Sequence, residues 1–239
     1  MKILKNCARQ ALLGGVAILS MLLPAASQAQ DASGPVEGLW KYTGLVSSSG
    51  DDMPLTGIFL LSEGKFLQQA VFDGEPFGDQ RAMAHSGTYR KTENGVQLKA
   101  GQTLGLAPMD EESLSDAGVT EHELDVAREG QNMTLVFGSG TVQTLEKLSD
   151  ASGAEIYALE KGMLAFADGY FIVVNGDGDR AVTGYGRYRR EGERWLLDVV
   201  RWSEAAGALA QNLRDVTLSA RFDGKTLMLA DGRSFPVKR

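Results

Sequence analysis

The chain has 239 residues, 43% of them apolar, with 24 Lys and Arg against 31 Asp and Glu, 29 Gly, 6 Pro and 1 Cys. This composition supports one large or two small globular domains, and it excludes a disordered chain, a collagen and a coiled coil. A single Cys cannot form an internal disulfide, which excludes a small cross-linked scaffold.

The N-terminal residues 1–29 have the three-part pattern of a secretory signal peptide. Three basic residues lie within the first nine, an apolar run follows over 11–23, and Ser27-Gln28-Ala29 offers a cleavage site. The apolar run is too short for a membrane span. The pattern predicts a protein that is periplasmic or secreted after loss of this segment.

The mature chain left by that cleavage is strongly acidic. Residues 1–29 hold three basic and no acidic residues, so their removal lowers the net charge of −7 by three, to −10. Such a surface repels nucleic acid and anionic lipid headgroups, so no nucleic-acid partner is expected. No second apolar run is long enough for a membrane span. The one Cys leaves with the segment, which excludes thiol catalysis and thiolate metal sites.

Short β-strands separated by tight turns account for most of the mature chain. Strand segments rich in β-branched and aromatic residues are 57–62, 65–72, 133–137 and 170–174. Hairpin-turn chemistry occurs at Glu63-Gly64, Asn94-Gly95, Asp168-Gly169 and Asp223-Gly224. Regularly spaced strands with few helical patterns between them predict an all-β, antiparallel sandwich or barrel.

The sequence also repeats itself. Residues 57–66 align with 162–171, and residues 81–91 align with 180–190, in the same order along the chain. A shorter echo later in each copy is Ala-Arg, at 127–128 and again at 220–221. An ordered series of matches indicates two copies of one β unit.

These copies predict two tandem units, a first at 36–148 and a second at 149–239, which form two barrels or share one continuous sheet. Each copy contains an insert without strand patterning, at Thr103–Glu123 and at Ser203–Leu213. Ser203 has the chemistry of a helix N-cap, so the second insert is predicted as a short helix. Such inserts act either as lids beside a barrel mouth or as solvated connectors.

The start of the first unit carries a family resemblance. Gly38-Leu39-Trp40 opens the first strand, and hairpins lead from it to a Gly-x-Tyr strand. This arrangement resembles the lipocalin-like (calycin) barrels, in which a Gly-x-Trp seals the base of an eight-stranded barrel. The resemblance implies that Trp40 is a structural plug, that Gly38 permits close packing, and that Lys147 or Arg239 packs on the indole. It also implies binding of small apolar molecules and, in some bacterial tandem members, isomerase, hydratase or cyclase chemistry.

Strand alternation defines the candidate site, because successive side chains of a strand point to opposite faces. In the first copy one face carries Arg81, Met83, His85, Gly87 and Tyr89. The matching face of the second copy carries Arg180, Val182, Gly184, Gly186 and Tyr188. If these faces line the interior, their small residues leave room for a ligand. The predicted ligand-binding residues are Arg81, Met83, His85, Tyr89, Arg180 and Tyr188.

The chemistry of these faces has two interpretations. A buried Arg needs a partner, and a ligand carboxylate or phosphate supplies one through two parallel hydrogen bonds. His85 and Tyr89 could donate to the same anion, or act as acid and base in an isomerisation. In the alternative, each Arg pairs with an Asp or Glu of the barrel and each Tyr belongs to the core.

No metal or cofactor is predicted. His85 and His122 are too few to indicate a zinc site. Residues 175–179 begin like a calcium loop, but Arg180 and Gly186 stand where that loop needs a turn Gly and a bidentate Glu.

Three functions remain open. The leading one is an exported, periplasmic protein that holds a small apolar or amphipathic acidic molecule in a β-barrel cavity, with Arg81 or Arg180 neutralising its head. The second is an isomerase or cyclase on the same barrel that uses His85 and Tyr89. The third is a structural or partner-binding exported protein that presents the exposed strand edges of its second copy.

Overall fold

The computed structural model describes residues 36–239 except 111, 117 and 208. The predicted signal peptide and its cleavage site lie outside the described residues. The described chain is nearly all β, and its one helical element is a 3-10 turn at Phe77–Asp79. No helix in this part of the chain is long and apolar enough to cross a membrane.

The first sheet has ten antiparallel strands: β1 (Gly38–Val46), β2 (Asp52–Met53), β3 (Leu55–Ser62), β4 (Lys65–Phe72), β5 (Arg81–Lys91), β6 (Gly95–Leu106), β7 (Leu114–Ser115), β8 (Glu121–Glu129), β9 (Asn132–Phe137) and β10 (Val142–Ser149). The short strands β2 and β7 are additions to β1 and β6. The other strands follow one another around the sheet, and β10 pairs with β1. The first sheet is therefore a closed barrel of eight strands.

The second sheet has nine strands: β11 (Glu155–Leu159), β12 (Gly162–Ala167), β13 (Tyr170–Gly176), β14 (Arg180–Glu191), β15 (Arg194–Ala206), β16 (Leu209–Leu213), β17 (Val216–Phe222), β18 (Thr226–Leu229) and β19 (Ser234–Pro236). β16 pairs only with β15, and the rest keep the strand order of the first barrel. A single bridge, Leu159 to Val237, joins the two ends, supported by the Lys238 amide donating to the Ala158 carbonyl at 2.8 Å. The second barrel is nearly closed.

The all-β, tandem-barrel prediction is confirmed, and the two barrels form separate sheets. The helix predicted over Ser203–Leu213 is wrong, because this segment is a hairpin of β15 and β16. Ser203 donates to the Asn212 side chain at 2.7 Å, and Ala205 is buried between the barrels. Pairing and packing thus override the helical propensity of the alanines. In the insert at Thr103–Glu123, β6 continues to Leu106 and pairs with β7.

The repeat is visible in the strand pairing, with one exception. The longer echoes form equivalent elements, the hairpins β3–β4 and β12–β13 and the strands β5 and β14. The Ala-Arg echo is out of register. Leu124 pairs with Val96 in the first barrel, and Ala220 pairs with Trp195 at the equivalent place in the second. Ala220 therefore corresponds to Leu124 rather than to Ala127.

Two equivalent glycines mark a β-bulge in each barrel. The register shifts at Gly87 between β5 and β6, and again at Gly186 between β14 and β15. A Cβ atom at either position would lie 2.1 Å from a backbone oxygen of the neighbouring strand, Lys99 or Asp198. The prediction that these small residues leave room for a ligand is wrong here, because their space is taken by the close approach of the next strand.

The barrels lie side by side and share a buried interface formed by their outer faces. β4 contacts β13 and β14, β5 contacts β12 and β13, and β6 contacts β13 and β15. Apolar residues of the interface include Ile58, Leu60, Leu67, Val71, Ala84 and Leu104 from the first barrel and Ala165, Ile172, Val174 and Ala181 from the second. Gln69 crosses it and donates to the Thr183 carbonyl at 3.2 Å.

Candidate functional site

Trp40 closes one end of the first barrel, which we call the floor. Its side chain is fully buried, and the indole N–H donates to the Val36 carbonyl at 3.0 Å. The guanidinium of Arg128 lies over the ring at 4.4 Å, and the Lys147 ammonium lies 5.6 Å from the ring centroid. A Cβ at Gly38 would lie 2.9 Å from a backbone oxygen, so Gly allows this packing. Sequence reasoning named Lys147 but missed Arg128.

The opposite end, which we call the mouth, is formed by the connections that precede β3, β5, β8 and β10. Between floor and mouth, three side chains form a hydrogen-bonded relay. The Tyr42 hydroxyl donates to Gln68 Oε1 at 2.6 Å, and Gln68 Nε2 donates to His85 Nδ1 at 2.5 Å. With the Gln68 amide in this orientation Nδ1 is the acceptor, which corresponds to the neutral imidazole with its proton on Nε2. That Nε2 is buried and has no hydrogen-bond partner among the described residues.

A second imidazole lies beside this relay. The ring centroids of His85 and His122 are 6.3 Å apart, and His122 packs edge-on against Phe137 at 5.5 Å. Burial is the main cause that lowers the pKa of His85 to about 4; the neighbouring His122 lowers it further, and Asp116 acts in the opposite direction. Burial also lowers the pKa of His122. Both rings are therefore uncharged at neutral pH.

The lowered pKa of His85 predicts a pH-dependent stability. The unfolded chain binds a proton at the ordinary histidine pKa of about 6.5, whereas the folded chain binds it only near 4. Stability is therefore lost as the pH falls below the unfolded value, by about 2 kcal/mol from about pH 7 to about pH 5. His85→Gln is expected to remove this loss in urea unfolding at the two pH values. An unchanged difference between the two pH values in the variant would contradict the assignment to His85.

The remaining predicted residues of this strand lie at different depths. Arg81 is at the rim of the mouth, where its guanidinium pairs with Asp110 at 2.8 Å and its side chain is 62% exposed. Met83 is half-buried. Tyr89 lies near the floor and donates to Glu37 at 2.8 Å. A strand rises about 3.3 Å per residue, so His85 and Tyr89 are about 13 Å apart along β5 and do not share one reaction site.

The first barrel differs from the second at the level of the relay. Strand pairing defines four corresponding inward positions, which are Gln68, His85, Thr103 and His122 in the first barrel and Val173, Gly184, Trp202 and Leu218 in the second. Trp202 is fully buried, and a Cβ on Gly184 would lie 2.3 Å from its ring. In the second barrel a large indole opposite a glycine therefore stands where the first barrel has Thr103 opposite His85.

The predicted residues of the second copy are separated from each other. Tyr188 belongs to an aromatic core, with its ring 5.0 Å from Phe166 and 5.2 Å from Trp195. Arg180 is exposed at the rim and lines an open cleft of about 930 Å³ together with Glu204 and Arg233. Glu204 and Arg233 form an ion pair with each other. The two arginines that were predicted to face a ligand thus lie on the rims of two different barrels.

Among residues 36–239, apart from the three undescribed positions, no group of three or more His, Cys, Asp or Glu could hold a metal ion. Comparisons with family models, with curated proteins and with solved structures find no match to this chain. Fold and site alone therefore define the class, which is a protein of two tandem antiparallel β-barrels consistent with a calycin-like fold.

Proposed function

We propose that this protein is exported and binds a small, largely apolar molecule in the mouth half of its first barrel. The observation that carries the proposal is the difference between the two interiors. Where the second barrel places Trp202 against Gly184, the first has Thr103 against His85, with a buried imidazole N–H that has no described partner. A buried donor without a partner costs about 1–3 kcal/mol, which a ligand oxygen would offset.

The walls around this donor suit an apolar body. Phe72 and Phe137 are partly buried and pack against the interior cluster from the mouth side. Burial of apolar surface contributes about 25 cal/mol per Å², so a small molecule can reach micromolar affinity after the costs of binding. An eight-stranded barrel holds one small ligand at most. Export is supported by the signal-peptide pattern of residues 1–29.

The test gives the first barrel the two residues that the second barrel has at the corresponding inward positions. The double variant His85→Gly/Thr103→Trp places in the first barrel the pair found at Gly184 and Trp202. We expect it to lower the affinity for 1-aminoanthracene, measured by fluorescence titration, by about tenfold or more, because the indole occupies the site. Full affinity in this folded variant would place binding outside the first barrel.

The matched control is Trp202→Phe, at the position in the second barrel that corresponds to Thr103. This change is expected to lower stability and to leave probe affinity unchanged. Native mass spectrometry of the exported protein then reports the bound molecule. Recovery of that molecule unaltered after incubation supports a binding protein, whereas conversion that is lost in His85→Ala would support the isomerase alternative.

A further inference from the structure

We infer that the ligand of the first barrel presents an uncharged hydrogen-bond acceptor, such as the carbonyl oxygen of a ketone, ester or amide, to Nε2 of His85. This inference rests on the proposed function and specifies the chemistry of its ligand. It depends on the direction of the relay, on the charges around the relay and on the burial of Nε2 of His85, the last atom of the relay.

The direction of the relay follows from the orientation of the Gln68 amide. The Tyr42 hydroxyl is buried and has one proton, which it donates to Gln68 Oε1. With Oε1 of the amide toward Tyr42, its NH₂ end faces His85 and donates to Nδ1. The imidazole then has only an N–H left to offer at Nε2. A ligand group that meets this atom has to accept a hydrogen bond.

The charges near the relay disfavour an anion. Asp116 accepts a hydrogen bond from Thr103, the residue opposite His85 on the neighbouring strand, and its charge acts on the His85 ring. The guanidinium on the same strand face, Arg81, is held at the exposed rim by Asp110. A carboxylate at Nε2 would lose its hydration next to an uncharged ring and a like charge.

A cationic donor is disfavoured for a different reason. An ammonium group at this place would bring its N–H against the N–H of His85 and leave both donors unsatisfied. A hydrocarbon would bury the same apolar surface but leave Nε2 of His85 without a hydrogen-bond partner. The site therefore ranks ligands of one shape by the group they carry, with the neutral acceptor first.

Four probes of one ring system test this ranking: 1-indanone, indane, 1-aminoindane and indane-1-carboxylate, each measured by displacement of 1-aminoanthracene. We expect 1-indanone to bind about tenfold more tightly than indane, and the amine and the carboxylate to bind more weakly than 1-indanone. In His85→Phe, the advantage of 1-indanone over indane is expected to vanish while indane still binds. Nitrogen-15 NMR of the free protein is expected to find the His85 proton on Nε2.

The outcomes separate this inference from the proposed function. If none of the probes, 1-aminoanthracene included, binds the first barrel, the proposed function fails and the inference fails with it. If indane and 1-indanone bind equally well, or if the carboxylate binds most tightly, the binding function stands and the inference is overturned. A proton on Nδ1 of His85 would also overturn it, because the relay would then run in the opposite direction.

Discussion

Replacement of Trp40 by Ala is expected to lower the free energy of unfolding by about 3–5 kcal/mol, the range for removing a large buried aromatic side chain. The indole is fully buried, and its loss leaves a cavity at the floor of the first barrel. The guanidinium of Arg128, 4.4 Å from the ring, would lose its cation–π partner. Urea denaturation followed by circular dichroism measures the change.

The control for this prediction keeps an aromatic ring at this position but removes the indole N–H. Trp40→Phe loses the hydrogen bond to the Val36 carbonyl but still fills most of the volume, so its effect is expected to be less than half as large. A loss below about 1 kcal/mol in Trp40→Ala would mean that the floor does not depend on this residue.

Replacement of Ile172 by Asp is expected to destabilise the shared interface of the barrels by at least about 3 kcal/mol, because it buries a carboxylate among apolar side chains. Ile172 lies on the outer face of β13, is 2% exposed, and packs in a cluster drawn from both barrels. The wild-type protein is expected to unfold in one transition. The variant is expected to unfold in two, because the barrels no longer support each other.

Met228→Asp is the matched control, since this side chain is apolar but 51% exposed on the second barrel. Its effect is expected to stay within about 0.5 kcal/mol. Unfolding is followed by far-ultraviolet circular dichroism and by tryptophan fluorescence, with Trp40 in the first barrel and Trp195 and Trp202 in the second. Coincident transitions in Ile172→Asp would contradict the dependence of each barrel on its neighbour.

The sequence predicted those parts of the site that depend on local periodicity. A period of two along β5 is enough to place His85 and Tyr89 on the inward face, and Gly-x-Trp is enough to name Trp40. The relay was not predictable in this way, because Gln68 lies 17 residues from His85 and faces it only through the register of β4 and β5.

Other features depend on contacts that sequence spacing does not reveal. Arg81 lies at the rim because it begins β5, and it pairs there with Asp110 from a connection 29 residues away. The exchange of Thr103 for Trp202 follows from extending the alignment of residues 81–91 with 180–190 without a gap, but only the strand pairing shows that these side chains lie opposite His85 and Gly184. The segment at Ser203–Leu213 has helical propensity, and its hairpin is set by pairing with the rest of β15 and by packing between the barrels.

The contacts between the barrels have a consequence for the relation between the two copies. β13 is the counterpart of β4, and β14 is the counterpart of β5. The contact of β4 with β13 therefore joins a strand to its own equivalent, and the contacts β4–β14 and β5–β13 are one contact made twice. These contacts have the isologous form of a homodimer interface, whereas the contacts β5–β12 and β6–β13 have no equivalent of similar extent, so the two-fold symmetry is partial. The tandem chain thus holds in one polypeptide the two sides of an interface that two separate copies of one barrel would form as a dimer.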